Sequence, residues 1–326
     1  MTDQMKKVDA VIEPMWMTAK SISEQQLPDV PWLWRGFIGR GLTSLFSAKP
    51  KLGKTTLTFD FMKSAAEDKP FLGQPVNLKG KILLLTEEPL ILIKRRVDRL
   101  ELADEKLLVI QKVYMKNWTD VLNQVRLAIE KENVELIILD TLASFWGVEI
   151  ENDAHDVISA LQPLQAISQE KNVALLLIHH LRKMQGTDGS AHRGSGALLA
   201  IVDIAIEFHK SASGGTRREL KALSRFEETM LEITAEQKDG SYSGLGSPGD
   251  LQHDEICRKI IDLLPEPGGV SIDRDSIMER LNPKPSESLV KKILSELAQG
   301  EKIEQHGKGT KGSPFQYRKK GVSNEQ

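Results

Sequence analysis

A chain of 326 residues with 40 % hydrophobic content can build one large core with a smaller domain beside it. Charged residues make up 28 % but the net charge is only −2, which excludes a global field for nucleic acid and leaves any such contact to a local patch. The single cysteine, Cys257, excludes an internal disulfide framework and suits a reducing compartment.

Residues 1–29 mix charge, Gln, Ser and Pro without a sustained period and are expected to form an extension. MTDQMKKVDAVIEPM lacks the unbroken apolar stretch of a signal peptide, and no run approaches a membrane span, so a soluble cytoplasmic protein is expected. From Val30 the pattern changes. GLTSLFSA (41–48), GKILLLTEE (80–88), KLLVIQ (106–111), VELIILDTL (134–142) and NVALLLIHH (172–180) are short, nearly continuous apolar runs. Between them WTDVLNQVRLAIEKEN (118–133) and DAHDVISALQPLQAISQEKN (153–172) read as amphipathic helices. This alternation predicts an α/β domain over 30–243, a parallel sheet covered by helices on both faces. VDIAIEFHK, RRELKALSRF and MLEITAEQ read as antiparallel strands at the sheet edge.

The Gly, Ser and Pro of SYSGLGSPGD predict a linker over 244–251. Residues 252–320 then read as a small α+β module, followed by a tail over 321–326. DEICRKIIDLL is a helix, GVSI a short extended piece, and DRDSIMERL a second helix capped by Asp273. SESLVKKILSELAQG is a third, with Leu289, Ile293 and Leu297 on one face and Gly300 as the C′ residue. KIEQHG and FQYRKK flank the Gly-rich KGTKGSP as two strands, completing a winged-helix arrangement.

A strand that ends in a loop and enters a helix points backbone N–H groups at an anion, backed by the helix N-terminus. AKPKLGKT, residues 48–55, has the spacing of G-x-x-x-x-G-K-[ST] except that Ala48 stands where the first glycine belongs. Lys49, Pro50, Lys51 and Leu52 fill the loop and Thr56 follows it. Gly53 lets the backbone approach the phosphates, Lys54 reaches the β and γ oxygens, and the Thr55 hydroxyl suits Mg²⁺. Asp140 ends a buried strand, where a carboxylate holds the water shell of Mg²⁺. Glu87 and Glu88 end another, placed to orient and deprotonate an attacking water. His179 and His180 end a third, at the root of the long polar stretch LRKMQGTDGSAHRGSGAL.

In this order the motifs PWLWRGFIGRG, AKPKLGKTT, LLLTEEPLILIKRRVDRL, IILDTL, LLLIHHLRK and RGSGALLAIVD resemble the RecA-like ATPases. Within them the chain from Val30 to Tyr242 is similar to the plasmid RepA-type hexameric replicative helicases and their AAA-type relatives in mobile elements. The resemblance implies ATP and Mg²⁺ as cofactors, Lys54 and Thr55 as loop residues, Glu87 as the catalytic glutamate, Asp140 at the Mg²⁺ site and His180 as a sensor. It also implies a hexameric ring with an arginine from the neighbouring subunit completing each site. Asp203 stands where that arginine is expected, so Arg193, or Lys221 and Arg225 on one face of their strand, become the candidates.

The resemblance places DNA-contacting loops at ASFWGVEIEND and RKMQGTDGSAHRG, the second carrying Arg182, Lys183 and Arg193. From Gln305 to Lys320 the chain carries Lys308, Lys311, Arg318, Lys319 and Lys320 with no acid between them. A basic wing beside a helix showing Ser288, Lys291, Lys292 and Ser295 is how a small module grips duplex phosphates. The expected function is an ATP-dependent DNA helicase or translocase that moves on single strands, with a primase or replication initiator as a partner. The alternative is a RecA-like ATP switch that loads recombination proteins or regulates transcription.

Overall fold

The computed structural model describes residues 16–24, 29–102, 105–148, 153–180, 196–211, 214–310 and 312–321. Within the first 31 residues, a compact unit of its own, helix α1 (Ala19–Ser23) is capped by Thr18, whose hydroxyl accepts from Ser21 N at 3.0 Å.

In the remainder, the antiparallel pair β1 (Trp32–Trp34) and β2 (Ile38–Gly39) leads into β3 (Thr43–Ala48), all of whose residues are buried. The chain continues through α2 (Lys54–Ala66), β4 (Lys81–Thr86), α3 (Leu90–Arg99), β5 (Leu107–Gln111), α4 (Trp118–Glu132) and β6 (Val134–Asp140). Next come α5 (Ala154–Lys171), β7 (Ala174–His180), α6 (Gly196–Ile201), β8 (Ile204–Lys210), β9 (Arg217–Ser224), β10 (Glu232–Lys238) and β11 (Ser241–Gly246). Among the described residues the main sheet has nine strands in the order β11-β10-β9-β8-β3-β7-β6-β4-β5. The six from β5 to β8 run parallel, and β9, β10 and β11 extend the sheet antiparallel. This large, mostly parallel sheet fits a RecA-like domain.

The apolar strands are continuous because both faces are covered. Ile82, Leu84, Leu136 and Ile138 pack with Phe59 and Met62 of α2 and Ile93 of α3. Their sequence neighbours Leu83, Leu85, Ile137 and Leu139 point the other way, onto Val121 and Val125 of α4 and Leu161 and Leu164 of α5. Polar residues delimit the covering helices: Asn117 and Asp153 accept from first-turn N–H groups, and Asn133 and Asn172 close the ends in left-handed conformations.

Two expectations are corrected at the sheet's antiparallel side. VDIAIEFHK is not an antiparallel edge: β8 runs parallel to β3, with Phe46 opposite Ile206, and is antiparallel only to β9. The connection from β7 returns through α6, so the chain enters β8 in the direction of β3. The linker expected over 244–251 is instead the end of a strand, a cap and the start of α7 (Pro248–Leu263). The glycines of SYSGLG serve close packing, since a Cβ on Gly244 would lie 2.6 Å from the Leu72 carbonyl carbon. Ser247 caps α7 by accepting from Asp250 N at 3.1 Å, and Pro248 takes the first turn, where its missing N–H costs nothing.

After α7 come β12 (Ile272–Asp273), α8 (Arg274–Arg280), α9 (Glu287–Gln299), β13 (Ile303–His306) and β14 (Gln316–Lys319), the strands pairing in the order β12-β14-β13. Ile256 and Ile260 of α7, Ile277 of α8, Val290, Ile293, Leu294 and Leu297 of α9, and Ile303 and Tyr317 form a separate apolar cluster. At about 1.5–3 kcal/mol per fully buried large aliphatic side chain, this cluster outweighs the propensity of helices so short. Asp273 caps α8 as expected, accepting from Ser276 N at 2.9 Å. The buried face of α9 is centred on Val290 and Leu294, with Leu289 only half-buried. Gly300 is the C-cap, and the left-handed residue after it is Glu301, φ 54°.

Candidate nucleotide site

Sheet register brings the expected site residues to one edge. Ala48 stands opposite His180 on one side and Phe208 on the other, while Asp140 stands opposite Thr86 and Ile178. Ala48 is fully buried as a regular strand residue, so it needs none of glycine's conformational freedom and the departure from the motif is accommodated. Gly53 does need it, with φ 104° at the N-cap of α2. No side chain caps α2, which leaves the N–H groups of its first turn directed at the space in front of the loop.

Lys54 is 5 % exposed. Its Nζ donates to Ala48 O at 3.0 Å and meets His180 Nδ1 at 2.8 Å. Burial lowers the Lys54 pKa to about 8, opposed by the Asp140 charge. His180 is likewise shifted down, by desolvation of its ring and then by the Lys54 and His179 charges, which keeps it a neutral acceptor. Asp140 is buried and takes a hydrogen bond from the Thr55 hydroxyl; burial and then the Glu88 charge raise its pKa to about 6.

The two glutamates differ in their surroundings. Arg96 grips Glu88 with both ends of its guanidinium, one of the two bonds being Nη2–Oε1 at 3.0 Å, and stacks 5.3 Å from the Phe59 ring centroid. Glu87 accepts from the Thr141 hydroxyl, and desolvation followed by the Glu88 charge pushes its carboxyl pKa up. One cavity of about 390 Å³ gathers Lys54, Thr55, Glu87, Asp140, His180 and Arg96.

Other expected residues lie elsewhere. Asp203 sits at the opposite edge of the sheet, where its Oδ2 accepts from Thr43 N at 2.9 Å. Lys221 pairs with Glu232 at 3.1 Å. Arg225 follows Ser224, which stands opposite Ile204 and thereby Ser44, about 13 Å back along β3 from Ala48. Lys291, Lys292 and Lys308 are exposed, with Lys292 3.8 Å from Glu296. Arg318, Lys319 and Lys320 are not an unopposed basic run: they pair with Glu304, Glu266 and Glu301, acids brought in by other segments. Arg182, Lys183, Arg193 and Lys311 lie outside the described residues, as does part of ASFWGVEIEND.

Sequence reasoning missed Arg96, whose only signal was a basic residue two turns after Glu88 on a helix leaving the same strand. It also missed Tyr242, whose strand was read as part of a linker. Its hydroxyl would lie 2.5 Å from a Cβ on Gly53.

The donors present fit a magnesium nucleotide. An uncapped helix start and a buried ammonium suit phosphates. Thr55 and Asp140 supply two oxygens, which suits Mg²⁺ because it keeps several waters and takes substrate phosphate oxygens. No group of three or more His, Cys, Asp or Glu among the described residues forms a metal cage. No helix among the described residues is long and apolar enough to cross a membrane.

Comparison with known proteins agrees with this geometry. The profile of a family described as an AAA domain matches residues 11–186. A DNA repair protein RadA from Aquifex aeolicus (strain VF5) is 27 % identical over 177 residues. That match spans 53 % of this chain and 35 % of the relative.

Proposed function

We propose, for a chain that belongs to the AAA domain family of RecA-like P-loop ATPases, that the Lys54 cavity hydrolyses ATP and that the energy moves DNA, in the manner of a ring-forming RepA-type helicase or translocase. The observation that carries the ATPase reading is the convergence of Lys54, Thr55, Glu87, Asp140 and His180 in one cavity in front of an uncapped helix. The motif resemblance and the likeness to a DNA repair protein support DNA as the partner.

In this reading the N–H groups of Gly53 to Thr56 and the N-terminus of α2 receive the phosphates. Lys54 exchanges Ala48 O and His180 Nδ1 for phosphate oxygens, and its pKa rises as it does so. Magnesium would supply positive charge to offset the negative charge that develops on the phosphate oxygens. Thr55 and Asp140 are the residues that would hold it. Glu87 takes the proton of the attacking water, its raised pKa bringing it nearer the working pH. Glu88 is unsuited to that role because Arg96 occupies both of its oxygens. His180 loses Lys54 when phosphate binds and so registers occupancy.

Residues 30–243 are read as the motor and 252–320 as a winged helix, supported by the order helix, strand, two helices, two strands and by the separate apolar cluster. Of the basic residues proposed to complete a neighbour's site, Lys221 is committed to Glu232 and Arg225 lies toward the far edge of the sheet. Arg193 is therefore the first to test. Lys291, Lys292, Lys308 and Lys311 are the candidate duplex contacts, with Arg182 and Lys183 for single strands.

The experiment is strand separation on forked DNA at several protein concentrations, with Lys54→Ala as control. Unwinding that requires Lys54 and rises steeply with concentration supports a ring-forming helicase. The likeness to a repair protein favours a second reading, an ATP-dependent recombination mediator. DNA-stimulated ATP hydrolysis without unwinding is its signature.

A further inference from the structure

The Tyr242 side chain reaches from β11 to the phosphate loop. Its Oη lies where a Cβ on Gly53 would be only 2.5 Å away, so ring and loop are in contact. Tyr242 N donates to Asp60 Oδ2 of α2 at 2.8 Å, and its ring meets Phe208 edge-on at 5.7 Å. Two residues on, Gly244 presses against the Leu72 backbone. The strand is thus pinned to α2 and to the turn that follows it.

Around this contact the polar network is incomplete. Tyr242 Oη and Arg218 Nε are both buried, and neither forms a hydrogen bond of good geometry among the described residues. Arg218 nonetheless lies close enough to the hydroxyl for its charge and a loose hydrogen bond to act on it. A buried hydroxyl held only loosely is costly, so a small displacement that tightens Oη against the guanidinium is favourable. A loop that moves on binding phosphate would tighten or loosen this contact.

Beyond Tyr242 the chain has no slack. β11 ends at Gly246, Ser247 is the cap, and Pro248 begins α7, which packs against β10 and β11 and contributes Ile256 and Ile260 to the C-terminal apolar cluster. A shift of β11 is carried into the helix.

We propose that Tyr242 is a positioning residue that couples occupation of the phosphate loop to α7 and the helices packed on it. This rests on the nucleotide site proposed above. It makes the nucleotide state legible at the C-terminal module without a flexible tether. Phosphate arriving at Gly53 moves the ring, β11 follows, and α7 changes its seating.

The test is amide hydrogen exchange over residues 248–263 of the full chain, with and without saturating non-hydrolysable ATP analogue. Three proteins are compared: wild type, Tyr242→Phe, and a chain with three glycines inserted after Gly246. Wild type is expected to change its α7 exchange on binding. Tyr242→Phe is expected to bind about five-fold more weakly, the effect of one hydrogen bond, to keep kcat within about two-fold, and to lose the α7 response at saturation. The insertion is expected to leave ATP turnover unchanged and to lose the same response. Melting temperatures check that both variants fold. Saturable binding with an α7 response that is absent in wild type, or that survives in either variant, overturns the coupling and leaves the site reading intact. Absence of nucleotide binding in wild type overturns both.

Discussion

Lys54 Nζ and His180 Nδ1 lie 2.8 Å apart, so the buried cation of the loop rests on a neutral imidazole and a carbonyl rather than on a carboxylate. Asp140 is near enough to act on it electrostatically but is engaged by Thr55. Burying this cation without a carboxylate partner costs stability, which the following expectations exploit.

Lys54→Met is expected to abolish ATP hydrolysis and to raise the melting temperature of the ligand-free protein. An unfolded lysine keeps its proton to about pH 10.5, whereas folded Lys54 releases it near 8. The unfolded chain thus binds more protons between those values, and stability rises with pH across that window. Below pH 8 the charge carries its full penalty, on the order of 3 kcal/mol. Thermal melts at pH 7 and pH 10.5 check this: the gain from Lys54→Met should be largest at pH 7 and shrink at the higher pH. A lower melting temperature for Lys54→Met at pH 7 contradicts it.

Asp140, with its pKa raised to about 6, gives the opposite window. The folded carboxyl holds its proton longer than an unfolded one, so ligand-free stability falls as pH rises from about 3.8 to 6. Binding of a magnesium nucleotide requires the carboxylate and should weaken about ten-fold per pH unit below 6. Titration of a fluorescent ATP analogue from pH 5 to 8, with magnesium and with EDTA, checks both. The step at pH 6 should appear only with magnesium and vanish in Asp140→Asn.

How much of this was visible beforehand depends on whether a residue's role was local. The parallel strands, their covering helices, Lys54, Asp140 and the pair Glu87–Glu88 were legible because burial on both faces leaves continuous apolar runs and because the strand ends carry the chemistry. Choosing Glu87 by geometry required Arg96, which shares no local pattern with Glu88 and meets it only once α3 folds over β4. The direction of β8 and the strand β11 were misread for related reasons. Direction depends on a crossover through α6 that periodicity does not encode, and glycines that pack a strand tightly look the same in sequence as glycines that free a linker. The basic run before Lys320 likewise lost its apparent isolation only when Glu304, Glu266 and Glu301 arrived from other segments.

Glu88→Gln is expected to act through Arg96. It leaves a half-buried guanidinium without its carboxylate, destabilising the protein by about 1–3 kcal/mol. Thermal melts of Glu88→Gln, Arg96→Met and the double variant check the coupling: the double variant should be less destabilised than the sum of the two single ones. Additive losses contradict it.

Gly53→Ala combines a left-handed backbone at φ 104° with a Cβ placed 2.5 Å from the Tyr242 hydroxyl. Affinity for ATP should fall at least about ten-fold, from an added strain on the order of 1–3 kcal/mol. Adding Tyr242→Phe removes the steric part but not the backbone part, so the double variant should recover affinity partially. Full recovery, or none, contradicts this division.

The most direct test of the account is binding and single-turnover hydrolysis of ATP by Glu87→Gln beside the wild type. If Glu87 is the base, Glu87→Gln binds magnesium ATP as tightly as the wild type within about two-fold, and hydrolysis slows by about 10²–10⁴-fold. Hydrolysis at the wild-type rate by Glu87→Gln would contradict the assignment and with it the division of labour between Glu87 and Glu88.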